Sequence, residues 1–449
     1  MVRLLANGIT FWAPDQRVGP VHILIQEEVI SRVSDAPISV EPEWEVFDLG
    51  GRLVVPGFVD AHTHLAQSFG RGIYDNLHMT QWLVAMSHKF NLTPDEVYVA
   101  TLIGCIEAIK SGTTTVAEMT SVGPHVDPCI QAIADSGLRA VVSACIDDFQ
   151  EGDNPPPELN ADGALQTMRG IYSRWHGTYG DRITMRVSPV GLPACTEGLM
   201  RGSRALANEL GVGIHTHCCE GEAETNSAYE RFGCSEVEAL YRFGVLGPDV
   251  QLVHCVWLTE RDKQLIAETG SSVVYCPSTN TKITDGIPPM PDLFRLGVNI
   301  ALGCDGEASS GTYDMLQEAR LASLLAKGTT MNAAIFTAEE TFEMMTRNGA
   351  RAVGLDGQVG VLEVGRKADV TVIDYPQVHL IDERRLLSNL IYSATGRDVD
   401  SVFVSGRPLM WRRELVHLDE ERIVARALEM MRKADHILAR WGPESSGRA

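Results

Sequence analysis

Eight apolar runs, each followed by a stretch of helical character, constrain the fold more than any other feature of this chain. They are Val54 to Ala61, Thr113 to Met119, Arg139 to Cys145, Ile183 to Val190, Val212 to His217, Val250 to Val256, Ser271 to Cys276 and Val298 to Cys304. Continuous apolar strands alternating with helices are the pattern of a parallel sheet covered on both faces, and eight such units predict a closed (β/α)8 TIM-type barrel. The intervening segments fit helices, for example Pro94 to Lys110 before the second run and Met331 to Ala352 after the eighth. An open doubly wound sheet is the competing α/β arrangement, but the glycine-rich phosphate loop that would support it is missing from the sequence.

The flanks read differently. Val21 to Ile25 and Trp44 to Leu49 are short strand patterns bounded by Gly-Pro and Gly50-Gly51. Strand patterns return in Gly365 to Asp374 and Val402 to Met410. Both ends are therefore expected to build one small β-sandwich domain. The expected division is 1–55 and 364–415 for that domain, 56–363 for the barrel, and 416–449 for a terminal helix and tail, the helix running Glu420 to Trp441. Pro155, Pro156 and Pro157 mark an exposed loop.

Composition excludes several classes of function. With 449 residues, 44% hydrophobic and 22% charged, the chain has enough apolar material for a large core. A formal net charge of -21 argues against a nucleic-acid partner, whose phosphates need a basic surface. No run approaches the roughly 18 uncharged apolar residues of a membrane span, and MVRLLANGITFW turns polar too soon for a signal peptide. The ten cysteines form no C-x-x-C pair and suit reduced thiols. A cytoplasmic location without membrane contact is the expectation.

The chemistry-bearing residues gather at the ends of the predicted strands. His62 and His64 lie two apart, so both imidazoles share one face at the end of strand one. That is metal-ligand geometry, the alternative being a histidine that caps the strand. Strand five ends in His215-Thr-His217-Cys-Cys-Glu220, strand six at His254, and strand eight at Asp305. His215 shares the parity of His217 one layer deeper, which reads as a satisfied core histidine. In a barrel these strand ends face one mouth, where such residues serve catalysis. Three imidazoles and one carboxylate suit Zn²⁺ or Fe²⁺, with water completing the site.

PGFVDAHTHL, SGTTTVAEM, HTHCCE, LVHCVWL, CPSTNTK and LGCDGEASSGTYDMLQEARLASLLAK together resemble the amidohydrolase superfamily. The similar branch holds the cytosine, guanine, adenosine-derivative and s-triazine deaminases and chlorohydrolases, and the resemblance runs along nearly the whole chain. It implies one divalent metal held by His62, His64, His217 and Asp305, with Zn²⁺ favoured and Fe²⁺ as the alternative. It further implies Glu220 as proton shuttle, His254 as the residue that orients or polarises the attacked group, and Asp305 as acceptor of a proton from water. A related branch binds two metals through a modified lysine ending strand four. Ile183 to Val190 has no lysine, so one metal is expected.

The implied activity is hydrolytic deamination of a small N-heterocyclic ring: a purine, pterin, pyrimidine or triazine. The alternatives are an s-triazine chlorohydrolase or alkylaminohydrolase, and, from another class, a non-catalytic scaffold that keeps the fold. A homo-oligomer, a dimer by family resemblance, is expected. Trp82 matches a tryptophan that contacts substrate in the adenosine-derivative deaminases, or else is a core residue. Gln67 is either a reader of the ring edge or a solvated loop residue. Val190 stands where many adenosine-derivative deaminases have histidine, which moves weight from nucleosides toward free bases, pterins or triazines.

Overall fold

The eight apolar runs close into a ring of parallel strands. In the computed structural model, which describes residues 1–12, 17–89, 91–121, 123, 125–149 and 160–433, the barrel strands are Phe58–Thr63, Thr113–Thr120, Arg139–Ala144, Ile183–Arg186, Ile214–Cys218, Val250–His254, Ser272–Tyr275 and Ile300–Leu302. The first four pair in order as one parallel ladder and the last four as another. Parallel bridges between Val187 and Ile214 and between Gly191 and His217 join the fourth strand to the fifth. A bridge between Thr63 and Asp305 joins the eighth to the first and shuts the ring.

Local sequence explains where the helices start. Thr93 caps Pro94–Lys110: its side chain accepts from the Glu96 amide while Glu96 reaches back to the Thr93 amide, a reciprocal capping box. The helix expected from Met331 to Ala352 starts later and is two pieces. Met331 closes the helix Met315–Thr330 in a left-handed conformation (φ 52°), and a second capping box between Thr337 and Glu340 starts Ala338–Met344. Thr346, at φ -130° and ψ -94°, then separates that piece from Arg347–Ala352.

The first predicted run, Val54 to Ala61, also divides. Leu53–Pro56 belongs to the small domain, where it pairs antiparallel with Val370–Ile373, and only Phe58–Thr63 enters the barrel. Gly57 is the pivot: its amide donates to Asp369 O at 3.0 Å, and any β-carbon there would overlap Thr114. The small β-sandwich domain is built from nine strands drawn from both chain ends. Its core joins Leu5, Ile23 and Ile25 to Val370, Val372 and Phe403. The terminal helix runs Glu420–Lys433; the expected continuation to Trp441, like the Pro155–Pro157 loop, lies outside the described residues.

One buried ion pair fastens the small domain to the barrel. Arg139, at the start of the third barrel strand, donates from Nε to Asp369 Oδ2 at 2.7 Å and from Nη2 to Asp369 Oδ1 at 3.1 Å, and Nη2 also reaches Ser405 Oγ at 2.9 Å. Both charged side chains are almost wholly excluded from water, at 2% and 1% exposure. Removing one partner of such a pair strands the other charge. Asp369→Ala is therefore expected to destabilise the fold by about 3–5 kcal/mol, measured as a loss of stability in urea; a change within the range of a surface substitution would show that the pair does not tie the two parts together.

Candidate active site

At the carboxyl end of the barrel, hydrogen bonds decide which nitrogen of each imidazole faces the mouth. The chain of partners starts at His62, whose Nδ1 lies 2.9 Å from Nε2 of His215; Nδ1 of His215 lies 3.0 Å from Ser143 Oγ, and that hydroxyl donates to Glu118 O at 3.2 Å. Because the serine proton is committed to the carbonyl, His215 donates from Nδ1 to Ser143 and accepts from His62 at Nε2. His62 therefore carries its proton on Nδ1 and offers a lone pair from Nε2, a buried atom with no partner among the described residues. His64 donates from Nδ1 to Met119 O at 2.5 Å, and His217 from Nδ1 to Val190 O at 2.8 Å, so their Nε2 atoms are likewise left free.

These atoms converge. One ligand atom from each of His62, His64 and His217 lies within 4.8 Å of the others, and the same holds for His62, His254 and Asp305. Asp305 Oδ1 is 3.4 Å from Nε2 of both His62 and His64. Burial lowers the pKa of His62 and, more strongly, that of His217, which keeps their lone pairs available. Burial opposes ionisation of Asp305, but the imidazoles of His62, His64 and His254 around it outweigh that and hold the carboxyl well below its usual range. Three imidazoles and one carboxylate, with an orphaned Nε2 at their centre, fit a single divalent metal.

His254 is set the other way round. Asn280 Nδ2 donates to its Nδ1 at 3.1 Å and to Asp285 Oδ2 at 3.0 Å, so His254 keeps its proton on Nε2. Burial pushes its pKa down to about 3, making it a neutral donor rather than a cation. Its Nε2 points at Glu220 Oε1, 3.5 Å away. Burial, reinforced by the carboxylates of Asp285 and Glu224, pushes the Glu220 carboxyl well above its ordinary range. A proton-bearing acid and a neutral donor thus stand side by side next to the imidazole cluster.

The cleft above this cluster has a volume of about 250 Å³ and is lined by His64, His217, Glu220, His254 and Asp305 together with Gln67 and Trp82. Every residue singled out from the sequence for metal, catalysis or substrate therefore borders one cavity, except His62, which lies beneath it. Trp82 is 7% exposed and Gln67 3%, so Gln67 is not a solvated loop residue. Val190, also in the lining, serves His217 through its main-chain carbonyl. His215 is a buried, satisfied histidine as expected, and it orients His62 as well. Sequence reasoning did not find Ser143, Asn280 or Asp285. Asn280 lies in the CPSTNTK motif, but no spacing rule ties it to His254.

Comparison with known proteins agrees with this geometry. A model of the amidohydrolase family matches residues 53–409. The chain is 36% identical over 390 residues to a 5-methylthioadenosine/S-adenosylhomocysteine deaminase of Moorella thermoacetica, covering 86% of this chain and 89% of the relative. It is 36% identical over 404 residues to a 5'-deoxyadenosine deaminase of Methanothermobacter thermautotrophicus, covering 90% and 92%. Among solved structures, a zinc-bound adenosine deaminase from Xanthomonas campestris superposes with a TM-score of 0.88 at 29% identity, covering 96% of this chain and 99% of the other.

The hydrogen-bond chain behind His62 yields a graded expectation. His62→Ala should abolish metal retention, and His215→Ala, which removes only the residue that orients His62, should weaken metal affinity by about 10–100-fold. Metal analysis of dialysed protein checks both. Two equivalents of metal per chain would contradict a single site, and an unchanged affinity in His215→Ala would show that the chain does not orient His62.

Proposed function

The chain belongs to the amidohydrolase family, and we propose that it hydrolyses the exocyclic amino group from a purine-type ring, releasing ammonia and leaving the keto ring. The single observation that carries this reading is the pairing of Glu220 with His254 beside the four-residue cluster. His62, His64, His217 and Asp305 would hold the divalent metal, zinc in our reading. Bound there, the metal supplies a water that is acidic enough to act as a nucleophile near neutral pH.

The chain's own residues do the rest. Asp305, held ionised, takes the proton of the attacking water as the C–O bond forms at the ring carbon bearing the amino group. Glu220 delivers its proton to the adjacent ring nitrogen. His254 donates from Nε2 to the oxygen that becomes the keto group. The proton held by Asp305 then passes to the amino group, the C–N bond breaks, ammonia leaves, and the remaining hydroxyl proton returns to Glu220 as that oxygen becomes the keto group. Trp82 and Gln67 supply a flat apolar wall and an amide at the ring edge.

The relatives' names support an adenine nucleoside with a modified 5' position as substrate. Leu83, Met86, Val190, Pro193 and Ala194 give the cleft an apolar wall that leaves a 5'-hydroxyl unpaired, which suits substituents lacking one. The same wall favours a second reading, a free purine base. No helix among the described residues is long and apolar enough to cross a membrane, and all ten cysteines are free thiols. We place the enzyme in the cytoplasm, as a homodimer.

Ammonia release with 5'-deoxyadenosine, adenosine and adenine tests the reading. The expected order of kcat/KM is 5'-deoxyadenosine above adenosine above adenine; adenine ahead of both nucleosides promotes the free-base reading, and no ammonia from any aminopurine overturns deamination of this ring. Glu220→Gln leaves every proposed ligand in place and removes the proton donor. It should retain metal while turnover falls by roughly 100-fold or more, and near-normal turnover in that variant would remove Glu220 from the mechanism.

A further inference from the structure

The opposite end of the barrel holds a second, larger cleft of about 860 Å³, and a buried arginine opens into it. Arg186 ends the fourth barrel strand and is 8% exposed. Its Nη1 donates to Gln251 Oε1 at 3.2 Å, and Gln251 in turn donates to Ala61 O across the barrel interior. No carboxylate among the described residues lies within ion-pairing distance of the guanidinium. Asp249, the acid in the same lining that acts on it from a distance, is itself committed to Arg204 by two hydrogen bonds of 2.9 and 2.8 Å. Burial without a counter-charge lowers the pKa of Arg186 to about 10.

The surrounding backbone is shaped to admit this side chain. A β-carbon at Gly213 would lie 2.9 Å from Arg186 Cζ, and one at Gly354, where φ is +77°, would lie 2.8 Å from Nη2. The rim adds Arg351, and His176, whose Nδ1 accepts the Met185 amide at 3.1 Å. Asp181 and Asp356 lie on the exposed part of the same lining. A buried cation with spare donors costs stability unless something pairs with it, and replacement by an apolar side chain of similar size is commonly neutral or stabilising.

We propose that the closed end of the barrel is a binding site for a small oxyanion of the phosphate type, held by Arg186 with help from Arg351. A planar guanidinium with unused N–H groups matches two phosphate oxygens at once. The anion supplies the missing counter-charge, and the cleft has room for either free phosphate or the phosphate of a small ester. The site is separate from the catalytic cleft: the two linings share no residue.

The test is calorimetric titration of the metal-loaded protein at constant ionic strength, with inorganic phosphate in one arm, glycerol phosphate in the second and chloride as the control. The expected result is saturable binding of a phosphate species at one site per chain, with the tighter arm identifying the source. Arg186→Met should weaken it at least about tenfold, the loss of a charge-assisted hydrogen-bonded pair, while retaining the thermal stability of the parent. Arg351→Gln, at an exposed position, should weaken it several-fold. No saturable binding in either phosphate arm, or unchanged affinity in Arg186→Met, overturns the proposal. Should Arg186→Met fail to fold, unchanged affinity in Arg351→Gln overturns it. Because the readout is anion binding rather than turnover, the result stands apart from whether purine deamination itself is observed.

Discussion

The line of hydrogen bonds from His62 through His215 and Ser143 to the Glu118 carbonyl is the constraint on which the catalytic centre depends. A lone imidazole has two equivalent tautomers and can offer either nitrogen. Anchoring the far end of the line to a backbone carbonyl removes that freedom and sends the His62 lone pair to the centre of the cluster. His64 and His217 reach the same state by a shorter route, each donating from Nδ1 to a carbonyl at the end of a neighbouring strand, Met119 and Val190. Strand ends thus supply both the ligands and the groups that orient them, which is why a closed parallel barrel suits this chemistry.

The same end of the barrel carries backbone strain. Cys219, His254, Cys255 and Asp305 all have positive φ, at 51°, 73°, 52° and 64°. Non-glycine residues avoid this region because the β-carbon crowds the carbonyl, so each costs energy that the surrounding structure must hold. At Asp305 the amide donates to His62 O at 2.8 Å and the side chain accepts from Ser309 at 3.2 Å, fixing the carboxylate next to His62 and His64. At His254 the turn brings Nδ1 onto Asn280. This strain falls where strands five, six and eight turn out of the barrel, and it re-aims side chains that a regular strand would direct elsewhere.

Burial does different work at the two ends. At the carboxyl end it keeps imidazoles neutral and a glutamic acid protonated, converting ordinary side chains into ligands and a proton donor. At the other end it surrounds Arg186, whose charge cannot be relieved at physiological pH in the way a carboxyl's can. A carboxyl adapts to a low-dielectric site by taking a proton; a guanidinium persists as a cation and needs an anion.

Much of this was legible in the sequence. Periodicity alone located all eight barrel strands within a few residues and divided the β-rich ends from the α/β middle. The His62-x-His64 pair, His217, Glu220, His254 and Asp305 stood out because ligand-type and acidic residues recurred at or just past strand ends, and the family resemblance assigned their roles. What only the tertiary structure decided was pairing across distance. The break at Gly57 depends on Asp369, more than three hundred residues away. His215 could be read as a core histidine from its parity, but its partner His62 comes from another strand. Asn280 and Asp285 gave no local sign of their part in setting the His254 tautomer. Sequence periodicity records which face of an element is buried, since that is fixed residue by residue along one strand or helix; the direction of a hydrogen bond depends on two groups that only folding brings together.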